Sequence, residues 1–215
     1  MEWDPAQRSG SATYRFLTSA VAPRPIAWVT TIDGNGLVNA APFSWFNAVC
    51  ADPPMVMLSI RAHPDGSMKD TARNIRATGE FVVNMSPASM AALMVQSSAD
   101  YAPDVSEVEK LGLRTTPSKR VGPPRLADSP VHLECRLHSI TLLGRRDEQS
   151  LVLGKVVHLA ANDKVLDAEG NLDPLKVTLV GRTGGSKYVD TSRPFSIPWP
   201  TDVPRSDSDR EHRVR

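Results

Sequence analysis

Residues 24–46 read RPIAWVTTIDGNGLVNAAPFSWF, and the fold turns on how this stretch pairs. β-branched residues run up to Ile32, Asp33-Gly34-Asn35-Gly36 supplies positive-φ turn positions, and Leu37-Val38 restarts the apolar pattern. Two antiparallel strands around a tight turn follow. The second strand then departs from a plain pattern, because VNAAPFSWFNAV (38–49) strings small residues, a proline, a serine and two asparagines between bulky aromatics. Pro42 has no N–H for a ladder, so backbone groups near it are free to bond something else. Spacing alone leaves two readings open, an edge strand with a bulge or a wall suited to a flat heteroaromatic ligand.

Working outward, PPMVMLSI (53–60) is a compact apolar run opened by a proline pair, which suits a buried strand. A helix is predicted from about Met68 to Ala77, ended by Gly79, and EFVVNM (80–85) is a further strand. PASMAALMVQSS (87–98) reads as a second helix, with Pro87 where a first turn tolerates it. From Ala99 to Asp128 the chain is rich in Pro, Asp, Ser and Lys and reads as a long surface excursion, with one helical turn around Glu107 to Leu111. VHLECRLHSI (131–140) alternates, placing Val131, Leu133, Cys135 and Leu137 on one face and His132, Glu134, Arg136 and His138 on a solvent face. SLVLGKVVHLAAN (150–162) pairs with it across a turn at 144–149, with a bulge expected at Gly154, and a last strand is expected from Leu175 to Val180. So many antiparallel strands with few helices point to a mainly β protein and a small closed barrel.

A chain of 215 residues suits one sizeable core. Lys plus Arg number 25 against 24 Asp plus Glu, a net charge of +1 that supplies no broad attraction for nucleic acid and favours a small-molecule partner. Cys50 and Cys135 are too few and too far apart for a zinc cluster or a redox pair and read as small buried hydrophobes; a reducing cytoplasm is the expected setting. The first twenty residues lack an apolar core of signal-peptide length, and no run approaches a membrane span. Residues 1–18 are expected to be an N-terminal extension, 19–190 the domain, and 191–215 a largely disordered tail, since the last dozen residues are charged without apolar periodicity.

Several chemistries are excluded. GNGLVN (34–39) begins like a dinucleotide fingerprint, but Asn39 replaces the last glycine and the stretch lies in a hairpin, so a Rossmann site is not expected. There is no Walker A sequence and no H-E-x-x-H, and the five histidines include no close ligand pair, so no metal is expected. What remains is GSMKDTARNIRATGE (66–80), which crowds Lys69, Asp70, Thr71 and Asn74 into one helix start. Ordinary capping and an anion site built from backbone N–H groups, the Thr71 hydroxyl and Lys69 both account for it.

The motifs P-R-P-I-A (23–27), N-x-A-P-F-S-x-F (39–46), K-D-T-x-x-N-I (69–75) and G-G-x-x-Y (184–188) occur in this order. Together they resemble the flavin reductase-like FMN-binding split-barrel family, which includes flavoredoxins and the reductase components of two-component monooxygenases. The resemblance spans Ser19 to Val189. It implies a six-stranded antiparallel split β-barrel and a homodimer with FMN near the subunit interface. Carried over by motif, Asn39, Ala40, Ala41 and Ser44 line the isoalloxazine and ribityl region with Ser59 and Ile60 beside them. Lys69, Thr71 and Asn74 take the phosphate with Arg24 assisting, and Tyr188 lies close to the pocket. The implied activity is hydride transfer from NADH or NADPH to flavin, with a monooxygenase component as a further partner; the alternative is a flavoredoxin-type electron carrier that oxidises no nicotinamide. The flavin carries that chemistry, so no protein acid or base is named.

Overall fold

The computed structural model describes residues 2–198 and 200. The tail expected to be largely disordered falls partly on residues 201–215, which lie outside the described residues. The chain enters through helix α1 (Gly10–Ala20), capped by the Ser9 hydroxyl. It continues through β1 (Arg24–Pro25), β2 (Ala27–Ile32), β3 (Val38–Phe43), β4 (Phe46–Ala51), β5 (Pro54–Arg61), α2 (Asp70–Thr78) and β6 (Glu80–Met85). The second half comprises α3 (Ala91–Gln96), α4 (Glu107–Lys110), β7 (Thr115–Thr116), β8 (Arg125–Leu126), β9 (Val131–Leu143), β10 (Gln149–Ala161), β11 (Val180–Arg182) and β12 (Tyr188–Asp190).

The hairpin forms as the sequence predicts, with Ala27 opposite Phe43 and Ile32 opposite Val38. Asp33 organises the turn by accepting from the Asn35 and Leu37 N–H groups, and within it only Gly36 has positive φ. Seven strands, one more than the resemblance implies, form one antiparallel sheet in the order β3-β2-β6-β9-β10-β5-β4, which does not close as the strand pattern alone suggests. The opposite edges, β3 and β4, are nevertheless joined by just Ser44 and Trp45. Such a link reaches no more than about 11 Å, so the sheet must curl until its edges nearly meet, leaving a barrel open along one seam. The stretch 38–49 is thus both edge strands at once, and the Ser59 N–H donates to the Trp45 carbonyl beside the seam.

β2 is buried on both faces. Ala27 and Val29 join Leu58, Ile75, Phe81 and Val152 inside the barrel, while Ile26 and Trp28 pack outside it against Met94, Val108, Leu113 and Leu126. Residues 99–128 are therefore no mere surface excursion, since they supply the cover for the outer face of the sheet. Their anchor explains a second difference. His132 and Glu134, expected in solvent, are buried, whereas His138 on the same face is exposed. Glu134 accepts from the Lys119 and Arg120 N–H groups and pairs with Arg125. Burial alone would raise its carboxyl, but these donors outweigh burial and hold it below the ordinary carboxylate range.

Cys135 is buried as expected, with burial pushing its thiol up, but Cys50 is exposed because β4 turns its side chains out along a free edge. The strand expected from Leu175 to Val180 instead begins at Val180 as β11, with β12 following it, and the Leu175 side chain is exposed. Gly154 marks a register shift in the β9–β10 ladder, as expected. No helix among the described residues is long and apolar enough to cross a membrane.

Candidate functional site

The seam of the barrel opens into a cleft of about 750 Å³, within the usual span of about 300–1,000 Å³ for small-molecule sites. One wall is Asn39 and Ala41 to Trp45 from the seam strand, and Ser59 and Arg61 from β5 form another. Lys69, Asp70 and Thr71 at the start of α2 close one end, and Tyr14 of α1 lies across the mouth with its ring parallel to Trp45 at a centroid distance of 6.5 Å.

The α2 start distinguishes the two readings of its crowded polar residues. Its N-cap is Lys69, which has no side-chain acceptor, and no side chain caps this helix. First-turn N–H groups lack intrahelical partners, so α2 points uncapped donors and a cation at the cleft. Lys69 Nζ donates to Asp100 Oδ1 at 2.9 Å, and His63 Nδ1 lies 3.9 Å from the same oxygen. The hydrogen bond and charge of Lys69 hold the Asp100 carboxyl below its ordinary range.

Of the residues singled out from sequence, Asn39, Ala41, Ser44, Ser59, Lys69 and Thr71 line the cleft. Arg24, Ala40, Ile60, Asn74 and Tyr188 stand behind its wall. Ile60 and Ala40 are core, and Asn74 donates to the Thr31 hydroxyl at 3.1 Å. Tyr188 backs Arg182, whose guanidinium carbon is 5.7 Å from its ring and which does line the cleft. Arg24 is tied to backbone carbonyls behind the wall. It is 7% exposed, and its guanidinium donates to the Thr18, Val21 and Thr183 carbonyls and to Ser44 Oγ. It therefore clamps the end of α1 to the seam and to the loop before β12. Gly184 of that loop backs closely onto α1, where a Cβ would lie 3.3 Å from Ser19 Cβ.

Sequence reasoning did not find Glu107, which lines the cleft at 5% exposure. Ser106 caps α4 and donates to the Val38 carbonyl at 2.6 Å. Glu107 then accepts from the Ala40 N–H at 3.0 Å and from Asn39 Nδ2 at 2.9 and 3.0 Å. Together they satisfy the free edge of β3. Burial pushes the Glu107 carboxyl above the ordinary range against its hydrogen bonds, and the charge of Asp70 adds to the rise. The helical turn was legible, but no local signal says which strand it docks on.

An antiparallel barrel split between two edge strands, with its cleft along the split, defines the split-barrel class. Residues 19–178 match the profile of the flavin reductase like domain, and the chain belongs to that family. It is 38% identical over 204 residues to the uncharacterized protein BH2278 of Halalkalibacterium halodurans, covering 94% of this chain and 97% of the relative. Among solved structures it is similar to nitrilotriacetate monooxygenase component B from Bacillus cereus, at TM-score 0.87 and 30% identity over 92% of this chain and 98% of that one. It is also similar to the 2-nitrobenzoate 2-nitroreductase NbaA of Pseudomonas fluorescens, at TM-score 0.86 and 32% identity over 96% and 100%.

Proposed function

We propose that the protein is an FMN-binding oxidoreductase that transfers a hydride from NADH or NADPH to flavin. The observation that carries this reading is the cleft itself, which has an uncapped helix start bearing Lys69 at one end and aromatic side chains at its mouth. An anionic group fits the first and a flat ring the second. Lys69 and the first N–H groups of α2 hold the phosphate. Asn39, Ala41, Ser44 and Ser59 face the ring and ribityl chain, with Ser59 oriented by Gln149, whose Nε2 donates to it at 2.8 Å. The flavin, when bound, supplies the hydride-accepting ring. Tyr14 and Trp45 cover the mouth and limit water. Arg61, exposed at the cleft wall, offers a cation to a nicotinamide nucleotide.

Similarity to a monooxygenase component B supports delivery of reducing equivalents to a separate monooxygenase component. A homodimer is part of the same reading, supported by the free edge of β4, where Asn47 to Ala51 are all exposed.

Anaerobic titration of the FMN-loaded protein with NADH, and separately with NADPH, tests the assignment through loss of oxidised-flavin absorbance. Bleaching by either nucleotide is the expected result and identifies the donor. Bleaching by dithionite alone would instead make the protein a flavoredoxin-type carrier.

A further inference from the structure

Asn39, Thr71 and Asn74 come from two separate motifs, yet the fold gathers them into one buried chain of hydrogen bonds that ends on a residue outside both. Asn74 Nδ2 donates to Thr31 Oγ1 at 3.1 Å. The Thr31 and Thr71 hydroxyls donate to Asn39 Oδ1 at 3.4 and 2.8 Å, and Asn39 Nδ2 donates to Glu107. Every donor points toward the Glu107 carboxylate. An ionised carboxylate only accepts, so the Asn39 amide must turn its nitrogen to Glu107 and its oxygen to the threonines. The Thr71 proton is thereby committed inward, and the hydroxyl has only lone pairs left for the cleft.

Resting on the flavin reading above, we propose that Glu107 is a positioning residue that acts through Asn39 to make the Thr71 patch of the cleft an acceptor of hydrogen bonds. The patch takes a hydroxyl or N–H donor of the ligand, not its phosphate. Lys69 stands at the helix cap, and Asp70 beside it is paired with Arg73. The phosphate is then left to Lys69 and the backbone N–H groups of α2, and Thr71 separates from the phosphate group to which its motif assigns it.

FMN and riboflavin separate the possibilities, since they share ring and ribityl hydroxyls but only FMN carries phosphate. Thr71→Val is expected to weaken both flavins by the same factor, about 5-fold for one neutral hydrogen bond, with Thr71→Ser restoring both. A readout specific to Glu107 is the pH profile of riboflavin binding. Riboflavin has no group that titrates in the acid range. The charged group that acts on Glu107 is Asp70 of α2, itself paired with Arg73; Lys69, paired with Asp100, lines the same cleft, and β3 brings no charged side chain. Riboflavin affinity should fall as the pH drops through the raised titration range of Glu107, where the protonated acid can donate and release the Asn39 orientation. Glu107→Gln should remove that dependence. Loss of FMN affinity by Thr71→Val with riboflavin untouched would overturn the assignment, as would a flat profile in the wild type. Wild-type protein that binds neither flavin would overturn the flavin reading itself, and this assignment with it.

Discussion

His132 shows how much a single side chain can depart from its pattern. Strand alternation puts it on the polar face of β9, and that face is polar in composition, but the 117–126 segment lies over it. The Nδ1 atom of His132 is 3.1 Å from Asn84 Oδ1, which already accepts from the Leu126 N–H, so this ring nitrogen carries the proton. Burial, with Arg125 adding to it, lowers the His132 pKa from 6.5 to about 4. The unfolded chain therefore binds a proton more readily than the folded one. The stabilisation is complete above the unfolded value and is lost as the pH falls from 6.5 toward about 4. Stability from urea denaturation should drop by roughly 2 kcal/mol more in wild type than in His132→Gln between about pH 7 and about pH 5. Equal drops would show that His132 titrates freely. The buried glutamates contribute alike to both proteins and cancel in the difference. Side-chain polarity at 132 and 134 was legible in sequence, whereas its burial depends on a segment that departs thirty residues earlier and has no periodicity of its own.

Element identity was far more legible than element partnership. The hairpin, the α2 helix with Gly79 at its left-handed cap, the long β9 and β10 strands and the bulge all follow from local pattern. Gly154 shows why one of these signals is strong. A Cβ there would lie 2.3 Å from Cζ of Phe81, a side chain fully buried in the barrel. Gly154→Ala should cost about 1–3 kcal/mol in chemical denaturation, as overpacking of a rigid core does, and an unchanged midpoint would mean that Phe81 moves aside freely. The 99–128 segment was misjudged because its composition is that of a loop. Its few apolar residues, Val108, Leu113 and Leu126, suffice once the outer face of β2 presents Trp28 to them.

At the scale of the molecule the decisive feature is the seam. Ser44 and Trp45 hold two sheet edges together, and Arg24 ties that link to α1 and to the loop before β12. Arg24→Gln removes charge-assisted hydrogen bonds to carbonyls that stay largely buried. It should speed tryptic cleavage after Arg15 on the order of 10-fold by local release of α1, with a smaller change in global unfolding. Unchanged proteolysis would show that α1 is held by its apolar contacts alone. The amino-acid sequence by itself determined the mainly β class, the central hairpin, α2, β9 and β10, the family and six residues of the cleft wall, because periodicity, turn chemistry and contiguous motifs are local properties of a chain. Only the tertiary structure decided that residues 38–49 supply both edges of the sheet, that Arg24 is a clamp, and that Glu107 closes the network behind Asn39. Those depend on which distant backbone groups are left unpaired when the sheet curls, and on which polar side chains then arrive to satisfy them.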